Sequence, residues 1–208
     1  MKLLRRPFPY KEYNFVLWLI GINVLVFLGE MVSRNIITEF SMVPLLVVNG
    51  KFWQLITYMF IHDPSNITHL LFNMLALFIF GMQVERRMGS YEFLLYYLLT
   101  GTLAGLFSFL VYWFTGNYIV FLMGASGAIF AVELAYATMF PRSVIYIWGL
   151  LPVKAPIMVI GFVGIELFFM LTGGNRNVAH FTHLAGFVFG WIYFLVRFGI
   201  NPWKEMRR

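Results

Sequence analysis

Ser126, His183, His69 and Asn73 are the residues whose types and spacing suit chemistry. Ser126 lies in MGASGAIFAV, residues 123–132, boxed by Gly124, Ala125, Gly127 and Ala128. His183 opens HLAGFVFG, residues 183–190, and shares a helical face with Gly186 and Gly190. His69 and Asn73, in HLLFN, are i and i+4 and point the same way. A serine hydroxyl is a weak nucleophile until a base removes its proton. Imidazole, titrating near neutrality, is a suitable base. Attack on a carbonyl creates an oxyanion that needs donors already in place. His69, the Asn73 amide and the Ser126 backbone N–H are the candidates. The one aspartate, Asp63, falls outside the apolar segments, so the expected unit is a Ser126–His183 dyad held by packing. The four histidines lack an HExxH spacing and the chain has no cysteine, so neither metal nor cofactor is expected.

Taken singly, each feature also has a structural reading. Small-residue stripes pack helices, membrane serines bond back to their own backbone, an asparagine can join two helices, and a histidine near a helix end is commonly an interface residue. His180, Asn23 and Ser108 keep such readings. What favours chemistry for the rest is a shared depth, and depth follows from the elements that carry them.

Of the 208 residues, 61% are hydrophobic and 12% charged, with a mean hydropathy of +0.79. That is about half the charged fraction of an ordinary soluble domain, so the solvent must be lipid. Six stretches are long enough to cross a bilayer: Phe15–Val32, His69–Val84, Tyr91–Phe114, Tyr118–Phe140, Ala155–Leu171 and His180–Arg197. Twelve Lys and Arg then fall on one side and three (Arg34, Lys51, Arg176) on the other. The positive-inside rule puts both termini in the cytoplasm, and the net charge of +6 requires no nucleic-acid partner. The expectation is a single domain over 1–208, with a cytoplasmic segment about 1–13 and a tail about 198–208. Ser33–Thr68 is too long and too aromatic for a tight connection; we expect an external loop partly embedded in the outer leaflet. His69, Asn73, His180 and His183 then lie in the outer parts of their spans, with Ser126 roughly 10 Å along its own. Small faces on spans four and six (Gly124, Gly127, Ala128, Ala131 and Ala135; Gly186 and Gly190) let the two backbones approach. Glu133 and Glu166 are expected deeper, with pairing, protonation or a proton path all open, and the depth of Glu166 does not suit a metal ligand.

At these residues the chain resembles the rhomboid family of intramembrane serine proteases. GASG at Gly124–Gly127 matches the family's GxSG and implies that Ser126 is the nucleophile. HLAGFVFG at His183–Gly190 matches HxxGxxxG and selects His183 over His180 as base. HLLFN at His69–Asn73 matches HxxxN, whose side chains stabilise the oxyanion in the family, and ERRMGS at Glu85–Ser90 resembles the short turn that follows. The resemblance implies an all-α, six-helix membrane bundle, with the site opening toward the outside of the cell membrane. It implies substrates that are membrane proteins with a single spanning helix. Two positions depart from the family: Gln54 follows Trp53 where arginine is common, and Phe130 replaces a tyrosine that stacks on the histidine. The loop Thr172–Val178 is a candidate cap. A catalytically inactive client-binding relative and a transporter using Glu133 and Glu166 are the competing readings.

Overall fold

The computed structural model describes residues 5–147, 149–173 and 180–208. It is mostly helical: α1 Phe15–Val32, α2 Ile67–Met88, α3 Ser90–Phe114, α4 Ser126–Met139, α5 Ala155–Thr172 and α6 His180–Phe198. All but α4 are long and apolar enough to cross a membrane. One departure from an all-α chain is a two-stranded antiparallel hairpin between α4 and α5, β1 Val144–Ile147 with β2 Leu151–Lys154.

The second departure concerns the fourth expected span. The stretch from Tyr118 to Phe140 is apolar apart from Ser126, Glu133 and Thr138, yet the helix begins only at Ser126. Gly124 takes φ +116°, a conformation that L side chains rarely adopt and that breaks a helix. Non-helical backbone at membrane depth must find partners in protein. Here the loop after α1 supplies them. Met42 and Leu122 exchange N–H···O bonds of 3.0 and 2.9 Å, and the Gly124 N–H donates to the Tyr58 carbonyl at 3.0 Å. Helix α4 is buried from Gly127 to Thr138, with Phe130 alone half-exposed. It is the centre of the bundle, walled off by its neighbours, so it need not span the bilayer by itself.

The loop between α1 and α2 is folded rather than loose. It carries helical turns at Asn35–Phe40, Pro44–Val48 and Gln54–Thr57. The buried Gln54 amide accepts from the Val43 N–H at 3.1 Å and donates to the Thr38 and Glu39 carbonyls at 3.2 and 3.1 Å. Tyr58 Oη donates to the Gly101 carbonyl of α3 at 2.7 Å. The far end of the loop is tied to α1, where the buried Glu30 carboxylate accepts from the His62 N–H at 3.1 Å.

Carboxylates also organise the opposite end of the bundle. Glu85, buried near the end of α2, accepts from the backbone N–H of Phe15 and Val16 at 2.6 and 2.8 Å. These are first-turn donors of α1 with no partner in their own helix, and they carry the positive end of its dipole. Glu92 of α3 takes Nε and Nη2 of Arg197 at 2.7 and 2.9 Å, the Tyr193 hydroxyl and the Phe8 N–H. One carboxylate thus joins α3, α6 and the N-terminal segment.

Helices α4 and α6 are in backbone contact. A Cβ at Gly186 would overlap the Gly127 carbonyl oxygen. A Cβ at Gly190 would come within 2.6 Å of the Tyr96 hydroxyl and 3.2 Å of the Ala131 Cβ.

Gly186→Ala should therefore cost about 1–3 kcal/mol, the usual penalty of overpacking. Gly161→Ala on α5, where a Cβ meets nothing within 4 Å, should be neutral or slightly stabilising through helix propensity. Thermal unfolding in detergent compares the two. A second expectation concerns His62, in the loop outside the spanning helices. Burial, with the neighbouring His69 second, holds its imidazole down at about 3, against an ordinary 6.5. Below the ordinary value the unfolded chain takes up a proton that the folded chain refuses. Stability should therefore fall as pH drops from about 6.5 toward 3. The melting temperature of His62→Leu should fall less steeply over that range.

Candidate active site

Ser126 is the first residue of α4, not a residue roughly 10 Å along a helix that begins at Tyr118. That position changes its chemistry. First-turn N–H groups have no intrahelical acceptor. Among the described residues no backbone carbonyl takes the N–H of Ser126, Gly127 or Ala128. The hydroxyl therefore stands beside a row of unspent donors at the positive end of a helix.

His183 lies in the first turn of α6, with Nε2 2.7 Å from Ser126 Oγ. The glycine contact between α4 and α6 permits this approach. The imidazole lies flat on Phe130, with centroids 4.3 Å apart and planes 8° from parallel. Phe187 meets Phe130 edge-on at 5.0 Å. The stack fixes the ring plane, and it needs an aromatic ring but no hydroxyl.

His69 and Asn73 lie on α2 as the spacing requires. The tip of the His69 ring abuts Gly124: a Cβ there would be 2.9 Å from His69 Nε2 and 3.8 Å from Ser126 Oγ. A side chain at position 124 would fill the space between imidazole and serine. Asn73 Nδ2 donates to the His69 carbonyl at 2.8 Å, so part of its donor capacity stays within its own helix. The His62 ring packs against His69 with centroids 5.2 Å apart.

The histidine of the expected dyad has a neighbour besides its packing, a carboxylate that is a glutamate and not an aspartate. Glu166 Oε1 of α5 lies 3.0 Å from His183 Nδ1. It sits off the N–H direction, so the contact is a close approach of carboxylate and imidazole rather than an aligned hydrogen bond. Its Oε2 lies 2.6 Å from Nδ1 of His180, which is buried and stacked on Phe169 at 5.8 Å. His180 is thus part of the cluster rather than a mere interface residue. Glu133 is buried on α4 with Oε2 unpartnered among the described residues. Ser108 and Thr182 hydroxyls meet at 2.7 Å between α3 and α6, so this serine bridges two helices instead of bonding back, and Asn23 donates to the Leu19 carbonyl at 2.8 Å, within its own helix instead of between two. Of the loop Thr172–Val178, residues 174–178 lie outside the described residues.

The signal for Glu166 was present in the sequence. Its span runs outward from Ala155, and Glu166 stands eleven residues along, about 16 Å into a helix of about 25 Å. That is past the midpoint, at the level of the histidines.

A family model described as the rhomboid domain matches residues 49–200. A candidate rhomboid protease of Bacillus subtilis, YdcA, is 30% identical over 179 residues, which cover 84% of this chain and 78% of that protein. Rhomboid protease AarA of Providencia stuartii is 36% identical over 125 residues, 53% of this chain and 43% of that protein. The mitochondrial RHOMBOID-like protein 12 of Arabidopsis thaliana is 30% identical over 155 residues, 66% of this chain. The chain spans less than half the length of these last two, 43% and 44%.

Proposed function

The chain belongs to the rhomboid family, and from that premise we propose that it is an intramembrane serine endopeptidase in which Ser126 is the nucleophile and His183 the base. The observation that carries this reading is the 2.7 Å approach of His183 Nε2 to Ser126 Oγ at a helix start with unspent N–H donors.

The steps follow from the geometry. Nε2 accepts the hydroxyl proton as Oγ bonds to the substrate carbonyl carbon. The carbonyl oxygen becomes an oxyanion, met by the first-turn N–H groups of α4 and by donors from His69 and Asn73. The C–N bond breaks as the imidazolium returns its proton to the departing amine. Water, deprotonated by the same Nε2, then attacks the acyl ester and releases Ser126 as an alcohol.

Substrates on this reading are proteins with a single spanning helix, cut near the outer face of the membrane. A peptide bond inside a helix is hydrogen-bonded and shielded, so the substrate must unwind locally. Residues that weaken its helix should favour cutting. The charge bias across the helices supports an orientation with both termini cytoplasmic and the site facing outward. The partners are the bilayer and its resident proteins, with no nucleic acid involved.

Ser126→Ala should abolish cleavage of a reporter carrying one transmembrane helix, while circular dichroism in detergent stays helical. A fluorophosphonate should label the wild type at Ser126 and fail on Ser126→Ala, with labelling of His183→Ala reduced by at least about 10²-fold, the scale of general-base assistance. Undiminished cleavage by Ser126→Ala would remove this reading.

A further inference from the structure

We propose that Glu166 is a positioning residue for the reaction, making Ser126, His183 and Glu166 one working unit that His180 braces from behind. This rests on the reading of Ser126 and His183 as nucleophile and base.

Half of helix α5 is exposed. Beyond Val159, its single buried residue is Glu166, which is also the one charged residue there, flanked by the half-buried rings of Phe162 against Phe130 and Phe169 against His180. A carboxylate at that depth is costly unless paired. Its two oxygens go to two imidazoles at i and i+3 on one face of α6, Oε1 to His183 at 3.0 Å and Oε2 to His180 at 2.6 Å. The His180 contact alone would pin α5 to α6. The second oxygen faces the nitrogen of His183 opposite the one that meets serine.

That placement selects a tautomer. An Nδ1 lone pair facing a carboxylate is repelled, whereas Nδ1–H is attracted. Placing the proton on Nδ1 leaves Nε2 bare to accept from Ser126, and the nearby negative charge stabilises the imidazolium formed in that step. The Phe130 stack restrains tilt of the ring but cannot distinguish its two nitrogens. Glu166 supplies the distinction. Because Oε1 lies off the N–H direction, its contribution should be smaller than that of an aligned triad carboxylate, and such contacts commonly tighten when substrate binds.

Two variants and one spectrum test this, using the full chain in detergent micelles. Glu166→Gln should slow fluorophosphonate labelling and lower kcat on the reporter by about 10²-fold, below the roughly 10⁴-fold cost of losing an aligned carboxylate. KM and melting temperature should change little, and Glu166→Asp should recover part of the rate. In ¹⁵N-histidine spectra of the wild type, the neutral ring assigned by its disappearance in His183→Asn should carry its proton on Nδ1. Wild-type labelling by Glu166→Gln, or a wild-type His183 protonated on Nε2, would overturn the proposal and leave the serine protease standing. The spectrum decides even where Glu166→Gln does not hold its fold. Failure of the wild type to label at Ser126 would remove both readings together.

Discussion

The absence of two Cβ atoms sets the geometry of this molecule. Gly186 lies against the Gly127 carbonyl, and no other residue at 186 permits that contact without displacing a helix. In lipid no hydrophobic force drives helices together, so association depends on packing surface and on polar groups at the contact. Small residues on α4 and α6 supply that surface. The neighbouring turn of each helix then carries Ser126 and His183 to 2.7 Å. The same crowding explains the length of α4. A helix enclosed by protein along Gly127–Thr138 has its backbone satisfied wherever it starts, provided the preceding chain finds partners. The folded loop before α2 provides them, so loop and helix start form one structural unit.

Of the five buried carboxylates among the described residues, all but Glu133 follow a single rule. Glu85 caps the start of α1, Glu30 takes a loop N–H, Glu92 meets Arg197, and Glu166 meets two histidines. Each spends its charge on donors from another element, as a low-dielectric interior demands. Glu85 and Glu92 lie at the end of the bundle that holds the N-terminal segment, and their work is mechanical. Glu30 and Glu166 lie at the end that holds Ser126. Of these two, only Glu166 faces a ring that touches the serine.

Periodicity and small-residue spacing carried most of this into the sequence. GASG and HLAGFVFG state which faces of α4 and α6 must meet, and the structure joins them through the glycines those motifs contain. HLLFN states that His69 and Asn73 share a face. What hydropathy could not express was the start of α4, because a stretch bonded to a loop looks as apolar as a stretch inside a helix. The only local sign was Gly124, whose positive φ ends the helical path. The β1–β2 hairpin was hidden for a related reason: Val144–Lys154 reads as an ordinary connection between spans, and its pairing depends on a register that four-residue strands barely encode. Glu166 was legible in type, but it was expected deeper than the histidines and lies at their level. Its pairing with α6 was not legible, since nothing in one sequence states which face of α5 turns inward.

The two departures from the family pattern can now be weighed by what each position does. At 130 the work is a face-to-face stack on His183 with planes 8° apart, which any flat ring performs, and the lost hydroxyl would have added a polar group needing its own partner. At 54 the work is to tie a loop to itself. A buried amide both accepts and donates, and Gln54 does both, taking the Val43 N–H while giving to two carbonyls. A cation there could only donate and would leave the Val43 N–H to find another acceptor. Neither change removes a group of the Oγ–Nε2 pair. Gln54 nevertheless acts on it through the chain: it braces Val43 beside Met42, Met42 pairs with Leu122, and Leu122 leads through Gly124 into the first turn of α4. The position of the serine hydroxyl is thus set from two directions, by glycines along the helix contact and by a neutral amide in the loop that holds the helix start.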